Sequence, residues 1–372
     1  MRIVVTGAEG FIGRHLVDAL RRDPRVSEII PLGRSEFVAG LESALVRADV
    51  IYHLAGINRP KDPAEFEAGN YQLTAELCSA LTRLNLAPTV VLSSSTQAAQ
   101  ENPYGRSKRR AEDVIVQWAA TSGAKSVVFR IPNVFGKWCR PNYNSVTATF
   151  CFNTAHDLPL TISDPAREID LAYVDDVIAS LLAVLEGRIQ SPSETRYIER
   201  TTRVTLGALA ARLKTFRDSR TTLLLPSFDD EFTKRLYVTY LSYLDGSDFS
   251  YSLQQRTDPR GTLAEFMKST TFGQIFVSRT NPGVTRGNHY HHSKTEKFLV
   301  LEGDAIVRFR AIAKPDIIEH HVSGRKFTVV DVPPGYTHSI ENVGTGDLVT
   351  LFWASEIFDA TRPDTIHLPV LM

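Results

Sequence analysis

MRIVVTGAEGFIGRHLVDALRRD, residues 1–23, starts as a β-branched run, turns at glycines and continues with Phe11, Ile12, Leu16, Val17 and Leu20 at helical spacing. Strand, glycine turn and helix in that order predict the first unit of a doubly wound α/β fold. Gly7 permits the tight turn, Gly10 lets the backbone approach a pyrophosphate, and Gly13 allows close packing of helix on strand. The helix that follows directs its N-terminal N–H groups at the anion. Such a glycine spacing is weak by itself; its place between strand and helix gives it meaning.

At 372 residues the chain is long enough for two domains. Lys plus Arg and Asp plus Glu number 42 each, so no general field for nucleic acid or an anionic membrane is expected. Cys78, Cys139 and Cys151 lack metal-like spacing and read as buried thiols. No apolar run approaches the ~20 residues that span a bilayer. Gly7, Glu9 and Gly10 interrupt the N-terminal run too early for a signal peptide, and a cytoplasmic protein is expected.

The α/β pattern continues. SEIIPLG, residues 27–33, reads as a second strand, and Arg34 after it suits the 2′-phosphate of NADP(H), where an acid would bind the ribose of NAD. DVIYHLAG, residues 49–56, reads as a buried third strand with a core histidine, His53. TVVLSSSTQ, residues 89–97, brings serines to the end of a fourth strand, where open α/β sheets hold their ligands. Tyr104 and Lys108, four apart at a helix start, share one face. The ammonium is expected to lower the tyrosine pKa while a serine holds the substrate oxygen. Such a trio can protonate an alkoxide as a nicotinamide delivers hydride.

Together TGAEGFIGRHL, HLAG, the LSSS strand, YGRSK and RIPNVFG resemble the extended short-chain dehydrogenase/reductases that act on nucleotide sugars. The resemblance covers residues 1–245 and implies a Rossmann core over 1–135 with a substrate lobe mainly over 136–245. It implies cofactor contacts at Gly7, Gly10, Phe11, Ile12, Gly13, Leu54, Ala55, Gly56, Asn70 and Lys108. Tyr104 and Lys108 become the catalytic pair, with Ser95 as catalytic serine and Ser94 as the alternative. Asn133 falls at the cofactor-to-substrate crossover, and Asn142 and Tyr143 offer an amide and a ring suited to sugar or uracil. Arg167 is a candidate phosphate clamp, and Asp170 and Tyr173 read as structural residues at a helix start. The gap between Ser95 and Tyr104 is short for this family, which bears on the shape of the sugar pocket.

Beyond Asp245-Gly-Ser-Asp248 the helical pattern stops, and many short strands separated by Gly, Pro and Asn turns predict a β-sandwich or barrel over 252–372. GVTRGNHYHHSKTEKFLVLEG, residues 283–303, and PPGYTHSIEN, residues 333–342, resemble the two motifs of the cupin barrels, with Phe327 where a glycine is usual. His289 and His291 are two apart on a strand and point into the barrel. With Glu296 and His338, from the adjacent and opposite strands, they make a nitrogen and oxygen ligand set for a divalent metal, zinc first. His289 in RGNHYH also resembles the histidine that serves as base in metal-free sugar-nucleotide epimerases of the cupin type, which implies an alternative role for it. Alternation turns His292 away, and His320 and His321 are read as a solvent-facing turn.

An extended reductase followed by a cupin resembles the CapF-type bifunctional enzymes of capsule and O-antigen synthesis. That resemblance implies a UDP-linked 4-keto-6-deoxy amino sugar as substrate and a homodimer. The cupin would invert C3 and the reductase would reduce C4 with NADPH, giving UDP-2-acetamido-2,6-dideoxy-β-L-talose for UDP-N-acetyl-L-fucosamine. Two readings compete. One is a nucleotide-sugar reductase, dehydratase or C4 epimerase whose cupin only binds sugar. The other is a cofactor-sensing regulatory protein, which has no need of Ser95, Tyr104 and Lys108 together.

Overall fold

Apolar strands alternating with amphipathic helices can bury both faces of a sheet, and the first part of the chain does so. The computed structural model describes residues 1–371, apart from the side chains of residues 38 and 39. It divides into two compact units: Met1–Leu213 with Arg235–Leu244, and Lys214–Lys234 with the chain from Asp245 on.

The first unit runs β1 (Arg2–Thr6), α1 (Phe11–Leu20), β2 (Glu28–Leu32), α2 (Arg34–Leu45), β3 (Val50–His53), a π-helical turn (Glu67–Gln72) into α3 (Leu73–Arg83), β4 (Thr89–Ser95), α4 (Pro103–Ser122) and β5 (Ser126–Ile131). There follow β6 (Asn133–Phe135), α5 (Val146–Ala155), β7 (Glu168–Tyr173), α6 (Val174–Leu182), β8 (Ser193–Tyr197), β9 (Thr202–Thr205), α7 (Leu206–Thr222) and α8 (Glu231–Leu241). Strands β2-β1-β3-β4-β5-β8 form one parallel sheet, and β6-β7-β9 form a small second one. The order reverses between β1 and β3, so the crevice above their carboxyl ends is the expected ligand position. Ile3, Val5, Leu16 and Phe129 pack on one face of the sheet, and Val4, Ile51, Leu77 and Trp118 on the other. Each large apolar side chain buried this way contributes about 1.5–3 kcal/mol.

A domain boundary at 245 misses one excursion. Residues 214–234 belong to the second unit, because Leu225 N–H donates to the Lys268 carbonyl (2.9 Å) and Lys268 N–H to that of Leu223 (2.8 Å). Asp170 also departs from expectation. It lies within β7 and pairs with Arg203 at 2.8 Å instead of standing at a helix start.

The second unit continues with β10 (Gln255–Asp258), β11 (Gly261–Ser269), β12 (Gly273–Thr280), β13 (Thr285–Tyr290), β14 (Glu296–Glu302), β15 (Asp304–Ala311), β16 (Ile317–Ser323), β17 (Val329–Val332), β18 (Tyr336–Asn342), β19 (Leu348–Ala354) and β20 (Ile366–His367). Two antiparallel sheets, β10-β11-β12-β19-β14-β17 and β16-β15-β18-β13-β20, enclose Phe298, Val300, Val307, Phe309, Ile340 and Phe352. Alternation of apolar and polar residues fits such a two-sheet barrel. The stretch holding His320 and His321 is not a turn: it is the edge strand β16, and both side chains are exposed.

Candidate functional site

At the carboxyl end of β1 the backbone must turn within a crowded space. Gly7 has φ +67°, and a methyl there would lie 2.7 Å from Ala55 N. One at Gly13 would lie 2.2 Å from the Gly7 carbonyl oxygen, so the helix packs on the turn as closely as backbone allows. Gly10 precedes Phe11 and Ile12, the first residues of α1, and its Cβ position meets only Gly7 O at 3.1 Å. The cradle that a dinucleotide needs is thus formed by backbone, with free helix N–H groups at its floor. Leu54, Ala55 and Gly56 follow β3 directly, and Ala55 N–H donates to Thr6 Oγ1 at 3.3 Å.

Tyr104 and Lys108 occupy the first turns of α4, which Asn102 caps by accepting from Gly105 N–H at 2.7 Å. The Tyr104 phenol stands near enough to the Ser95 side chain, at the end of β4, for Ser95 to act on its pKa. Lys108 is buried and donates from Nζ to the Ser93 carbonyl at 3.0 Å, and a methyl on Gly56 would lie 3.1 Å from that Nζ. Burial pushes the Lys108 ammonium down to about 8, against the opposing charge of Glu112. Burial also pushes the Tyr104 phenol up, with Ser95 opposing it, so the lowering expected from Lys108 is not the net outcome. Ser94 points the other way: its hydroxyl donates to the buried Glu112 carboxylate, which Arg130 holds at 2.7 Å. Glu112 was missed in the sequence, although Tyr104, Lys108 and Glu112 fall four apart on one face.

Asn70 is buried, and its side-chain amide is engaged by protein partners. Its Oδ1 accepts from Ile57 N–H (3.0 Å), and its Nδ2 donates to the Ile57 carbonyl (2.9 Å) and Ser107 Oγ (3.0 Å). It sits in the π-helical turn, a distortion common at functional sites. His53 is a core histidine, bonded to Thr6 and Thr74 hydroxyls and pushed down to about 3 by burial and by Lys108.

A cleft of about 930 Å³ opens beside the glycine turn, lined by Ala8, Glu9, Arg14, Arg21, Gly33 and Trp138 among others. Arg34 does not line it. It is the exposed first residue of α2, while Arg14 and Arg21 stand in the wall. The Glu36 and Glu9 carboxylates would lie 2.6 and 2.9 Å from a methyl on Gly33. Of the substrate candidates, Asn133, Asn142 and Arg167 are exposed, and the Tyr143 carbonyl accepts from Arg59.

In the second unit His289, His291, Glu296 and His338 bring ligand atoms within 4.8 Å of one another. His289 stands directly across from His338 in neighbouring strands of one sheet, while Glu296 begins a strand of the facing sheet. His291 lies just past β13, so only His289 of the pair is on the strand itself. A bulge at Asn288 (φ +58°) precedes the cluster and leaves the alternation after it intact, and His292 is exposed.

The Nε2 atoms of His291 and His338 lie 3.5 and 3.4 Å from Glu296 Oε2, and both are buried without a hydrogen-bond partner. Burial favours the neutral Glu296 acid, but the two imidazoles beside it hold its carboxyl well below the usual range. Burial and then His338 push His289 down to about 4. Orphaned imidazole nitrogens converging on a carboxylate are what an N/O metal site requires, so the residues fit a divalent cation.

The sequence of the first unit matches the NAD dependent epimerase/dehydratase family over residues 3–197, and residues 256–366 match the polysaccharide biosynthesis C-terminal domain. The chain is 43% identical, over 98% of both sequences, to the UDP-2-acetamido-2,6-beta-L-arabino-hexul-4-ose reductase of Pseudomonas aeruginosa. It superposes on the capsular polysaccharide assembling protein CapF from Staphylococcus aureus with a TM-score of 0.91 at 45% identity, over the whole of both chains. A UDP-glucuronic acid 4-epimerase from Bacillus cereus, solved with NAD and 22% identical, shares the fold over 65% of this chain and 98% of its own, with a TM-score of 0.57.

Proposed function

From a chain that belongs to the NAD dependent epimerase/dehydratase family, and within it to the CapF-type proteins, we propose a bifunctional nucleotide-sugar enzyme. It is an oxidoreductase that uses a nicotinamide cofactor to reduce the C4 ketone of a UDP-linked 4-keto sugar. The second unit inverts C3 of that sugar beforehand, and the product is UDP-2-acetamido-2,6-dideoxy-β-L-talose. The observation that carries the reductase reading is the placing of Ser95, Tyr104 and a buried Lys108 together at the carboxyl end of a parallel sheet. Its test is NADPH consumption on addition of the 4-keto sugar; no oxidation would return the chain to the cofactor-sensor reading.

A nicotinamide, when bound, would supply the hydride for C4, and the chain's own residues do the rest. Tyr104 donates its phenolic proton to the C4 oxygen, and Ser95 holds that oxygen in place. Lys108 stabilises the phenolate left behind, which requires its ammonium form. In free enzyme the reduction rate at low substrate is expected to fall as pH rises through about 8, the Lys108 value. The folded pKa lies below the unfolded 10.5, so the cost of the buried ammonium is present below about 8 and disappears as pH rises toward 10.5. Lys108→Met is therefore expected to lose reduction at pH 7 without losing thermal stability, as read by activity and melting temperature together.

Arg34 by its position after β2, and Arg14 and Arg21 by theirs in the cleft wall that Arg34 does not line, support NADP(H) as the cofactor. The Glu9 and Glu36 carboxylates beside Gly33 favour NADH as a second reading, since an acid there suits the ribose hydroxyls. Arg34→Ala is expected to raise KM for NADPH about tenfold, one lost charge-assisted phosphate contact, and to leave that for NADH in place. An unchanged NADPH KM would remove Arg34 from cofactor choice.

In the barrel, His289, His291, Glu296 and His338 would hold a divalent cation, zinc being the first choice. When bound it supplies Lewis-acid stabilisation of the negative charge that develops on the C4 oxygen as the C3 proton leaves. Phe298 and Phe309 set their rings 5.8 and 6.4 Å from the His338 ring and form an apolar side to the cluster. The 4-keto group acidifies C3–H, and reprotonation on the opposite face inverts the centre. Reduction then removes the ketone and fixes the configuration. A homodimer and a cytoplasmic location complete the proposal; among the described residues no helix is long and apolar enough to cross a membrane.

A further inference from the structure

We propose that residues Asp364–Val370 act as a strap that presets the imidazole and carboxylate cluster, with Asp364 as its positioning residue. This rests on the cation reading of the cluster and adds the device that holds the ligands in place. The turn from His291 to Glu296 brings two ligands together, and Asp364 organises it. Its carboxylate accepts the backbone N–H groups of His292 (2.9 Å), Ser293 (2.8 Å) and Lys294 (2.9 Å), and the Ser293 hydroxyl at 3.0 Å. Three converging amide donors fix the turn as a ring of charge-assisted bonds.

The main-chain carbonyl of the same residue accepts from His291 Nδ1. That contact puts the ring hydrogen on Nδ1 and leaves the lone pair on Nε2, the buried atom that faces Glu296. Lys294 Nζ lies 3.7 Å from Glu296 Oε1 and donates to Thr365 Oγ1 at 3.2 Å. The strap therefore contacts the turn on both sides of the carboxylate.

The rest of the strap serves the two remaining ligands. His367 pairs with His289 across β20 and β13. Leu368 N–H donates to Asn288 O (2.9 Å) and Val370 N–H to Asn288 Oδ1 (3.1 Å), so the strap seals the bulge that precedes His289. Thr337, next to His338, donates to the Leu368 carbonyl. Buried Arg310 holds the far end through the carbonyls of Val370 (2.9 Å) and Pro369 (2.7 Å). The strands that carry His289 and His338, and the turn between His291 and Glu296, are thus tied to one short segment.

The test compares the full-length wild type with Asp364→Ala and Asp364→Asn, titrating zinc against a competing chelator and recording the visible spectrum of each protein loaded with cobalt(II). Removing the carboxylate is expected to weaken zinc binding about 10- to 100-fold, as loss of a partner behind a ligand does. Asp364→Asn, which keeps one acceptor oxygen, is expected to lose less. The cobalt bands should shift with the ligand geometry, which a residue that merely steadied the fold would leave alone. If Asp364→Ala does not fold, Asp364→Asn decides. Wild-type affinity and spectrum in a folded variant would overturn the strap alone; no zinc uptake by the wild type would overturn the cation reading and the strap together.

Discussion

Tyr104→Phe is expected to lower NADPH oxidation by the 4-keto sugar about 10²- to 10⁴-fold, the range for a lost general acid. The substitution deletes one oxygen from a half-buried ring that packs against Phe66 at 5.4 Å, so α4 keeps its seat and Lys108 keeps its bond to Ser93. Cofactor affinity should therefore stay near the wild-type value, and kcat should carry the loss. Solvent exchange at C3, assigned to the other unit, should be untouched. Full oxidation by the variant would remove the reductase assignment from this constellation. Ser94→Ala offers a contrast: Ser94 bonds Glu112 and not Tyr104, so its replacement should cost stability before it costs chemistry.

Glu296→Gln is expected to produce the second large effect, abolishing exchange of the C3 proton while NADPH binding persists. The amide keeps the shape of the side chain but removes the negative charge on which His291 and His338 converge. Zinc affinity should fall steeply, because the remaining donors are neutral imidazoles. Chelation of the wild type provides the companion arm. If exchange survives chelation but not His289→Ala, His289 works as a base, as its half-buried neutral ring permits. If both treatments stop exchange, the four residues act as one ligand set.

Much of this was legible in sequence because the determinants are local. Gly7 and Gly13 answer to contacts within one turn, and Tyr104 and Lys108 to one helix face. His289 and His291 keep their inward alternation because the Asn288 bulge falls before them. Glu112 is equally local, one further step along the same face, but no motif marks it. Other features depend on distant chain. Burial by neighbouring elements, not the charge of Lys108, dominates the Tyr104 phenol. Arg34 follows β2 as the pattern requires, but α2 begins there and leaves it outside the cleft wall. Residues 214–234 join the second unit through backbone bonds to Lys268, which no composition change announces. Asp364 reaches its turn across 72 residues of sequence, from a polar stretch without a motif.

The central claim is that one chain holds two consecutive reactions on one sugar, and proton NMR in deuterium oxide tests it most directly. The full-length protein is incubated with the UDP-linked 4-keto-6-deoxy amino sugar, first without NADPH and then with it. The expected result is deuterium at C3 before any reductant is present, followed by loss of the ketone and one equivalent of NADPH oxidised per sugar. A C3 proton that stays unexchanged until NADPH is added, or a ketone that survives NADPH, would contradict it.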